Sequence, residues 1–178
     1  MPRFELDLKP VQHITTDAIG APGSRVFYLQ GWRETDPQPV TVIIEKLQLQ
    51  SLALGIEQMV SEIAHQKPEL PVPPNDFDPD KMRINPPVDP LFRAGEMGIG
   101  YDADEDRLVI LAREVLTTGE EQDEAAVVRF WCNRRQARQL SAWSSEVLER
   151  GRPICPQCGE PMEPEGHFCP KKNGHKKK

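Results

Sequence analysis

A run of prolines in the middle of the chain limits the possible folds more than any other feature. Eight of the 23 residues from 68 to 90 are proline. Proline fixes φ and removes a backbone donor, so neither a helix nor a central strand is expected to pass through this run. The run therefore divides the chain into two parts, and it forms either a linker or an extended segment held against the surface.

The part before the prolines predicts several strands and then one long helix. Residues 4–8 alternate between apolar and polar side chains, as a half-buried strand does. Three further strand-like runs follow at residues 13–19, 26–32 and 40–44. From residue 46 to residue 66 the apolar positions recur at helical spacing, which predicts an amphipathic helix with one wide apolar stripe.

The part after the prolines repeats this order. Strand-like runs return at residues 98–101, 107–111 and 126–131. Asn133 then caps a predicted helix, with Gln136 three residues later as the partner in a capping box. The helix is expected to end near Arg150, because a glycine and a proline follow within three residues.

The two parts resemble one another at an offset of 88 residues. Gln48 then falls on Gln136 and Leu52 on Leu140. Few identities support the offset, so a duplication and a chance likeness both remain open. The second helix carries Ala and Ser where the first carries Leu and Ile, which suggests that something bulky fills the space.

The sequence predicts an α+β fold of two similar antiparallel strand-and-helix halves, βββα-like, with a small C-terminal zinc ribbon. The expected boundaries are residues 1–66 for the first half and 67–95 for a proline-rich linker. Residues 96–151 form the second half, and residues 152–178 form the ribbon and a basic tail.

The cysteines near the C-terminus specify a chemistry. Cys155 and Cys158 form a C-P-x-C-G pattern with Gly159, and two thiolates at this spacing can point at one tetrahedral ion. Glycine after the pair suits a tight turn, where φ is often positive. Cys169 is a third ligand, so the sequence predicts a zinc site.

The fourth zinc ligand is His167 or His175, since the spacing allows both. His167 is preferred because it lies beside Cys169, in a His-Phe-Cys-Pro run that mirrors the first pair. His175 stands next to three terminal lysines, whose charge disfavours a bound cation. Four protein ligands would make the zinc structural, because no position stays open for water.

Free or disulfide-bonded cysteines are the alternative to zinc. No secretory signal and no membrane span is recognisable, and there are only four cysteines, so we expect a cytoplasmic protein with reduced thiols. The remaining cysteine, Cys132, ends a strand-like run and is expected to be a buried apolar residue. No Ser/His/Asp set or paired-carboxylate pattern indicates a catalytic centre.

Charge is distributed unevenly along the chain. Residues 152–178 contain six Lys and Arg against three Glu, a net charge of +3, whereas the remainder has a net charge of −9. An acidic body disfavours nucleic acid as a partner, although the basic tail can act separately.

The chain resembles the family catalogued as domain of unknown function 3090 along essentially its whole length. The likeness rests on Cys-Pro-x-Cys-Gly-x-Pro from residue 155, on Pro-x-Gly-His-x-Cys from residue 164, on Asn173-Gly174 and on Asn-Pro-Pro at residues 85–87. The resemblance implies a C-terminal zinc ribbon with His167 as ligand, because relatives often have an aromatic residue in place of His175. It implies no activity.

Three functions are compatible with these patterns. The leading hypothesis is a non-catalytic binding or adaptor protein that uses the ribbon to contact an unidentified protein partner. One alternative is nucleic-acid contact through the ribbon and the basic tail. The other is an enzyme that acts on a phosphorylated small molecule in a cleft between the halves, which predicts a deep pocket lined by polar groups.

Overall fold

The computed structural model describes residues 3–150, 155–159, 162 and 169–173. The strands are β1 Glu5–Leu8, β2 His13–Ile19, β3 Val26–Trp32, β4 Val40–Ile44, β5 Pro90–Asp102, β6 Arg107–Glu114 and β7 Val127–Cys132. The helices are α1 Lys46–Gln66, α2 Pro79–Met82, α3 Arg134–Arg150 and α4 Pro170–Asn173, with a 3₁₀ turn at Gln122–Glu124. One mixed sheet carries all seven strands, which confirms the predicted α+β class.

The sheet curls until its two edges meet. Its strand order is β1-β7-β6-β5-β4-β3-β2, so the edge strands β1 and β2 are consecutive in the chain. The N–H of Val11 donates to the carbonyl of Trp131 in β7 at 2.9 Å, and the N–H of Gln12 donates to Trp32 in β3 at 2.8 Å. Val11 and Gln12 therefore connect β7, which lies next to one edge of the sheet, with β3, which lies next to the other edge.

Strand pairing is antiparallel within each half and parallel between the halves. The strands β2, β3 and β4 form one antiparallel set, and β5, β6 and β7 form the other. The parallel contacts are β4 with β5 and β1 with β7. The halves are thus joined side by side, which the expectation of antiparallel strands did not include.

Rows of paired residues can be matched between the two halves. One row of paired residues across the first half is Thr16, Leu29 and Val42. The corresponding row across the second half is Ile99, Ile110 and Phe130. The offset is therefore 83 residues in the first strand of the row, 81 in the second and 88 in the third. It changes because the loops between strands differ in length.

The two long helices begin in the same way. The N–H of Glu45 donates to the side chain of Gln48 at 2.8 Å, and the N–H of Asn133 donates to Gln136 at 2.9 Å. The predicted capping box at the second helix is therefore confirmed. Gln48 also donates to the backbone carbonyl of Ala94, and Gln136 also donates to the backbone carbonyl of Val11.

Helices α1 and α3 pack against one another. The hydroxyl of Ser141 in α3 donates to the carbonyl of Ala53 in α1 at 3.1 Å, and the Ser141 side chain is buried. We expected a bulky group beside the small residues of the second helix. The small side chain of Ser141 lets the backbone of α1 approach. The expectation of a bulky group concerns Ala137 and Ser144, which correspond to Leu49 and Ile56, and it stays a prediction.

The proline-rich run is held against α3, so it is the extended surface segment and not the linker that the sequence also allowed. We call residues 68–85 the strap. Arg134 and Arg138 donate to the carbonyls of Pro71 and Pro73, each at 2.7 Å. Further along, the N–H of Asn85 donates to the side chain of Gln30 at 2.7 Å.

Two details of the proline-rich run differ from the prediction. It contains one helical turn, α2, whose first residue is Pro79 and whose cap Asp78 accepts from the N–H of Asp80 at 3.1 Å. Proline is tolerated there because the first helical N–H has no intrahelical partner. Strand β5 begins at Pro90, so residues 90–95 lie in a strand within the range expected to be a linker. Proline can open a strand without costing a ladder bond.

Candidate metal centre

The turn at residues 155–159 brings the first cysteine pair onto one side of the chain. The N–H of Gly159 donates to the carbonyl of Cys155 at 2.9 Å, which closes the turn around Cys158. Gly159 has φ +76°, a conformation that costs glycine little and other residues more. The positive φ expected from the C-P-x-C-G pattern is therefore confirmed.

Cys169 joins this pair from a distant point in the chain. The Sγ atoms of Cys155, Cys158 and Cys169 all lie within 4.8 Å of one another. Cys155 and Cys169 are buried, and Cys158 is half-buried. The structure thus places together the three cysteines that the sequence predicted as ligands, and such a cluster can hold a metal ion.

The sulfur spacing fits a shared ion better than a disulfide. The Sγ atoms of Cys155 and Cys169 are 3.8 Å apart, whereas a disulfide needs about 2.05 Å. Two thiolates bound to one tetrahedral zinc at about 2.3 Å would lie about 3.8 Å apart. Among the described residues, no two cysteines form a disulfide.

The local backbone favours the thiolate form of Cys155. Hydrogen bonds from the backbone of Cys158 and then of Gln157 lower the pKa of the Cys155 thiol to about 6, with a smaller contribution from the neighbouring thiols. Thiolates are the form that binds metal, so this turn is preorganised for a cation.

The fourth ligand cannot be assigned from geometry. His167 and His175 both lie outside the described residues, and so does the basic end of the tail. Three thiolates and a protein nitrogen would close the coordination sphere, whereas three thiolates and water would leave a position open to chemistry. The cysteine cluster is compatible with either.

Cys132 does not belong to the cluster. It has 0% exposure at the end of β7, and burial raises the pKa of its thiol to about 12. The prediction of a buried apolar residue is confirmed.

A groove lies between the two halves, where only the enzyme alternative predicted a cleft. A groove of about 690 Å³ runs between α1 and β5, and its lining is mostly apolar with two glutamates. We call it the open groove. The sequence contained one sign of it, because the offset of 88 residues places Gly55 where the second half has Trp143.

Comparisons with known proteins connect the chain to one described family. The family described as "Protein of unknown function (DUF3090)" matches residues 6–169. The matched range includes the sheet, both long helices and all three clustered cysteines. No curated protein and no solved structure matches the chain. Among the described residues, no helix combines the length and apolar character needed to cross a membrane.

Proposed function

The chain belongs to the family of proteins of unknown function DUF3090, and we propose that it is a non-catalytic binding protein with a structural zinc ion in its C-terminal segment. The observation that carries the proposal is the cluster of Cys155, Cys158 and Cys169 within 4.8 Å. The C-terminal segment has few apolar residues, so metal binding would supply much of the free energy that folds it. This supports a structural role for the ion.

Zinc and a closed coordination sphere account best for the donor set. Thiolates in a C-x2-C pair with a third cysteine are typical of zinc ribbons, which are completed by a fourth Cys or His. We assign that position to His167, next to Cys169. With four protein ligands the ion holds the ribbon together and activates no water.

The ribbon would then serve as a recognition surface for a protein partner. Phe168 lies between two proposed ligands, so the metal would fix its position and present an aromatic ring. The net charge of +3 in residues 152–178 favours an acidic surface on the partner. We also propose a cytoplasmic location, where thiols stay reduced and can bind zinc.

The two other functions stay predictions. Nucleic-acid contact depends on the tail lysines, and the three at residues 176–178 lie outside the described residues. The enzyme hypothesis expected a polar pocket between the halves. The open groove does lie between α1 of one half and β5 of the other, but its described lining contains no Lys, Arg or His to bind a phosphate. That lining favours binding over phosphoryl chemistry.

We also propose that the two halves derive from a duplication. Each half contains three antiparallel strands and a helix whose capping box is closed by a glutamine. This common order and the matching helix caps support a common origin.

A direct test combines metal content with partner capture. The full chain and its Cys155→Ser variant are each assayed for zinc, and each is used to capture partners from a nuclease-treated native lysate. Cys132→Ala is the matched control, because it removes a thiol outside the cluster. We expect one zinc per chain and the same partner for the wild type and the control.

Cys155→Ser should lose both the zinc and the partner while the body keeps its circular dichroism spectrum. Equal capture by Cys155→Ser would show that the ribbon is not the recognition surface. A wild-type chain that binds no zinc would refute the structural-metal proposal itself.

A further inference from the structure

A second pocket, of about 400 Å³, lies between the sheet of the first half and the strap. We call it the strap pocket. Residues at the start of β2 and at the end of β3 form one wall, and residues 80–85 form the other. Most of its lining side chains are polar or charged, whereas the lining of the open groove is mostly apolar. Its volume lies within the range of pockets that bind small molecules.

The strap wall of this pocket is held in place by buried hydrogen bonds to the sheet. The hydroxyl of Thr15 in β2 donates to the carbonyl of Met82, and both side chains are buried. The side chain of Gln30 in β3, which is 0% exposed, accepts from the N–H of Asn85 at 2.7 Å and donates to its carbonyl at 3.0 Å. The pocket is therefore formed before a ligand binds, which lowers the entropy cost of binding.

Two cations stand on this wall without a carboxylate of the protein beside them. Met82 is buried, whereas its neighbours Lys81 and Arg83 are exposed and line the pocket. Neither of them forms an ion pair with any of the described residues. Lys and Arg bind phosphate through charge-assisted hydrogen bonds. Their position favours a ligand that carries a phosphate.

His13 contributes a buried nitrogen that lacks a partner. Its Nε2 atom forms no hydrogen bond within the described part of the chain. The ring donates a hydrogen bond to the backbone of Lys81, so Nε2 of the neutral imidazole is an acceptor. Buried polar atoms are normally paired with protein, water or ligand. A ligand with a hydroxyl or amino group at this position would supply the missing donor.

The indole of Trp32 provides an apolar surface in the same pocket. His13 and Trp32 are paired across β2 and β3, and their ring centroids are 4.9 Å apart at an angle of 42°. Trp32 is half-buried and lines the pocket. Proteins commonly bind nucleobases by stacking them on aromatic side chains. The indole therefore favours a ligand with a planar ring.

The remaining lining side chains can recognise the polar edges of such a ligand. Gln12 and Asn85 each have a side-chain amide, which offers one acceptor and a donor group. Paired donors and acceptors of this kind match the edge of a nucleobase. The carboxylate of Asp80 only accepts, which suits sugar hydroxyls. The lining thus contains groups for a phosphate, a sugar and a base.

We propose that the strap pocket binds a nucleoside monophosphate. Lys81 and Arg83 bind the phosphate, and the base lies against the indole of Trp32. The ribose hydroxyls donate to Asp80 and to Nε2 of His13. This site goes beyond the zinc ribbon and does not depend on it. It is formed by the first half and the strap, and not by the cleft between the halves.

Isothermal titration calorimetry of the full chain with AMP, GMP, CMP and UMP tests the proposal. The corresponding nucleosides and inorganic phosphate serve as partial ligands. We expect at least one of the monophosphates to bind. Its nucleoside and inorganic phosphate should each bind at least tenfold more weakly, because each lacks one set of contacts.

Substitutions in the lining separate the contributions of charge and ring. Arg83→Met should lower the affinity for the monophosphate at least tenfold and leave that for the nucleoside unchanged. Trp32→Leu should weaken the binding of both. Arg33→Met is the matched control, because Arg33 follows Trp32 in the chain and contacts Asp36 at 3.7 Å but does not line the pocket. It should bind the monophosphate like the wild type.

NMR spectra of the isotope-labelled chain locate the binding site independently of the variants. The imidazole signals of His13 and the indole N–H signal of Trp32 should shift when the monophosphate is added. The indole N–H of Trp143 donates to the buried Thr16 and should not shift.

Three results would overturn the proposal. The first is that none of the four monophosphates binds at millimolar concentration. The second is that inorganic phosphate binds as tightly as the monophosphates, because the pocket would then select an anion and no base. The third is equal affinity of Arg83→Met and Arg33→Met for the monophosphate, because the phosphate would then bind elsewhere on the chain.

Discussion

The substitution Trp143→Phe removes the hydrogen bond that joins α3 to β2, together with part of a buried ring. Phenylalanine keeps an aromatic ring against Phe77 but cannot donate to the carbonyl of Thr16, which Trp143 reaches at 2.6 Å. Thr16 is 0% exposed, so water cannot replace the lost donor without a local rearrangement.

The size of the effect follows from what remains around that carbonyl. A buried acceptor left unpaired costs about 1–3 kcal/mol. A long contact from the Thr15 hydroxyl at 3.4 Å would persist, which places the expected loss in the free energy of unfolding at about 1–2 kcal/mol. For a chain of this length the melting temperature should fall by roughly 2–8 °C.

Urea denaturation followed by circular dichroism measures this loss, and Trp131→Phe is the matched control. The Nε1–H of Trp131 donates to the exposed carboxylate of Asp7 at 2.8 Å, a partner that water can solvate. We expect the control to lose less than about 0.5 kcal/mol. Equal losses in the two variants, or no loss in Trp143→Phe, would show that the bond from Trp143 to Thr16 does not stabilise the contact between α3 and β2.

Three further predictions concern the body of the protein. Burial lowers the pKa of His13 from 6.5, so the stability that its neutral form contributes is complete above pH 6.5 and is lost as the pH falls toward the lowered pKa. His13→Gln should flatten the urea midpoint over that interval. Arg138→Met removes a 3.0 Å contact with Glu57 and the bond to the strap. It should lower the free energy of unfolding by about 1.5–3 kcal/mol and speed limited proteolysis in residues 68–85. Because burial raises the pKa of Cys132 to about 12, iodoacetamide should modify it only after unfolding, as mass spectrometry would show.

Each of these three predictions has a result that contradicts it. A midpoint-versus-pH curve unchanged by His13→Gln would mean that His13 titrates alike in the folded and unfolded chain. Unchanged proteolysis of Arg138→Met would mean that other contacts hold the strap. Alkylation of Cys132 at the rate of an exposed thiol in native conditions would show that β7 opens locally.

Local patterns in the sequence were sufficient to place most elements. The apolar stripe of the first long helix gave the same bounds, Lys46–Gln66, that the structure has. The capping box gave the start of α3, because its two bonds join residues only three positions apart. The C-P-x-C-G pattern placed two of the three clustered thiols, Cys155 and Cys158, for the same reason, since the spacing itself decides where they point.

Features that depend on distant pairing were not predictable in this way. The parallel contact between β4 and β5 joins the halves across the whole strap, and no short pattern records it. The open groove is bordered by α1 of one half and β5 of the other, so it depends on how segments distant in the sequence pack together.

The zinc K-edge absorption spectrum of the purified full chain tests the central claim most directly. We predict one zinc per chain with three sulfur ligands at about 2.3 Å and one nitrogen at about 2.0–2.1 Å. The nitrogen contribution should disappear in His167→Ala and persist in His175→Ala. A chain that binds no zinc, or a spectrum with a water oxygen in place of the nitrogen, would contradict a closed structural site in this protein.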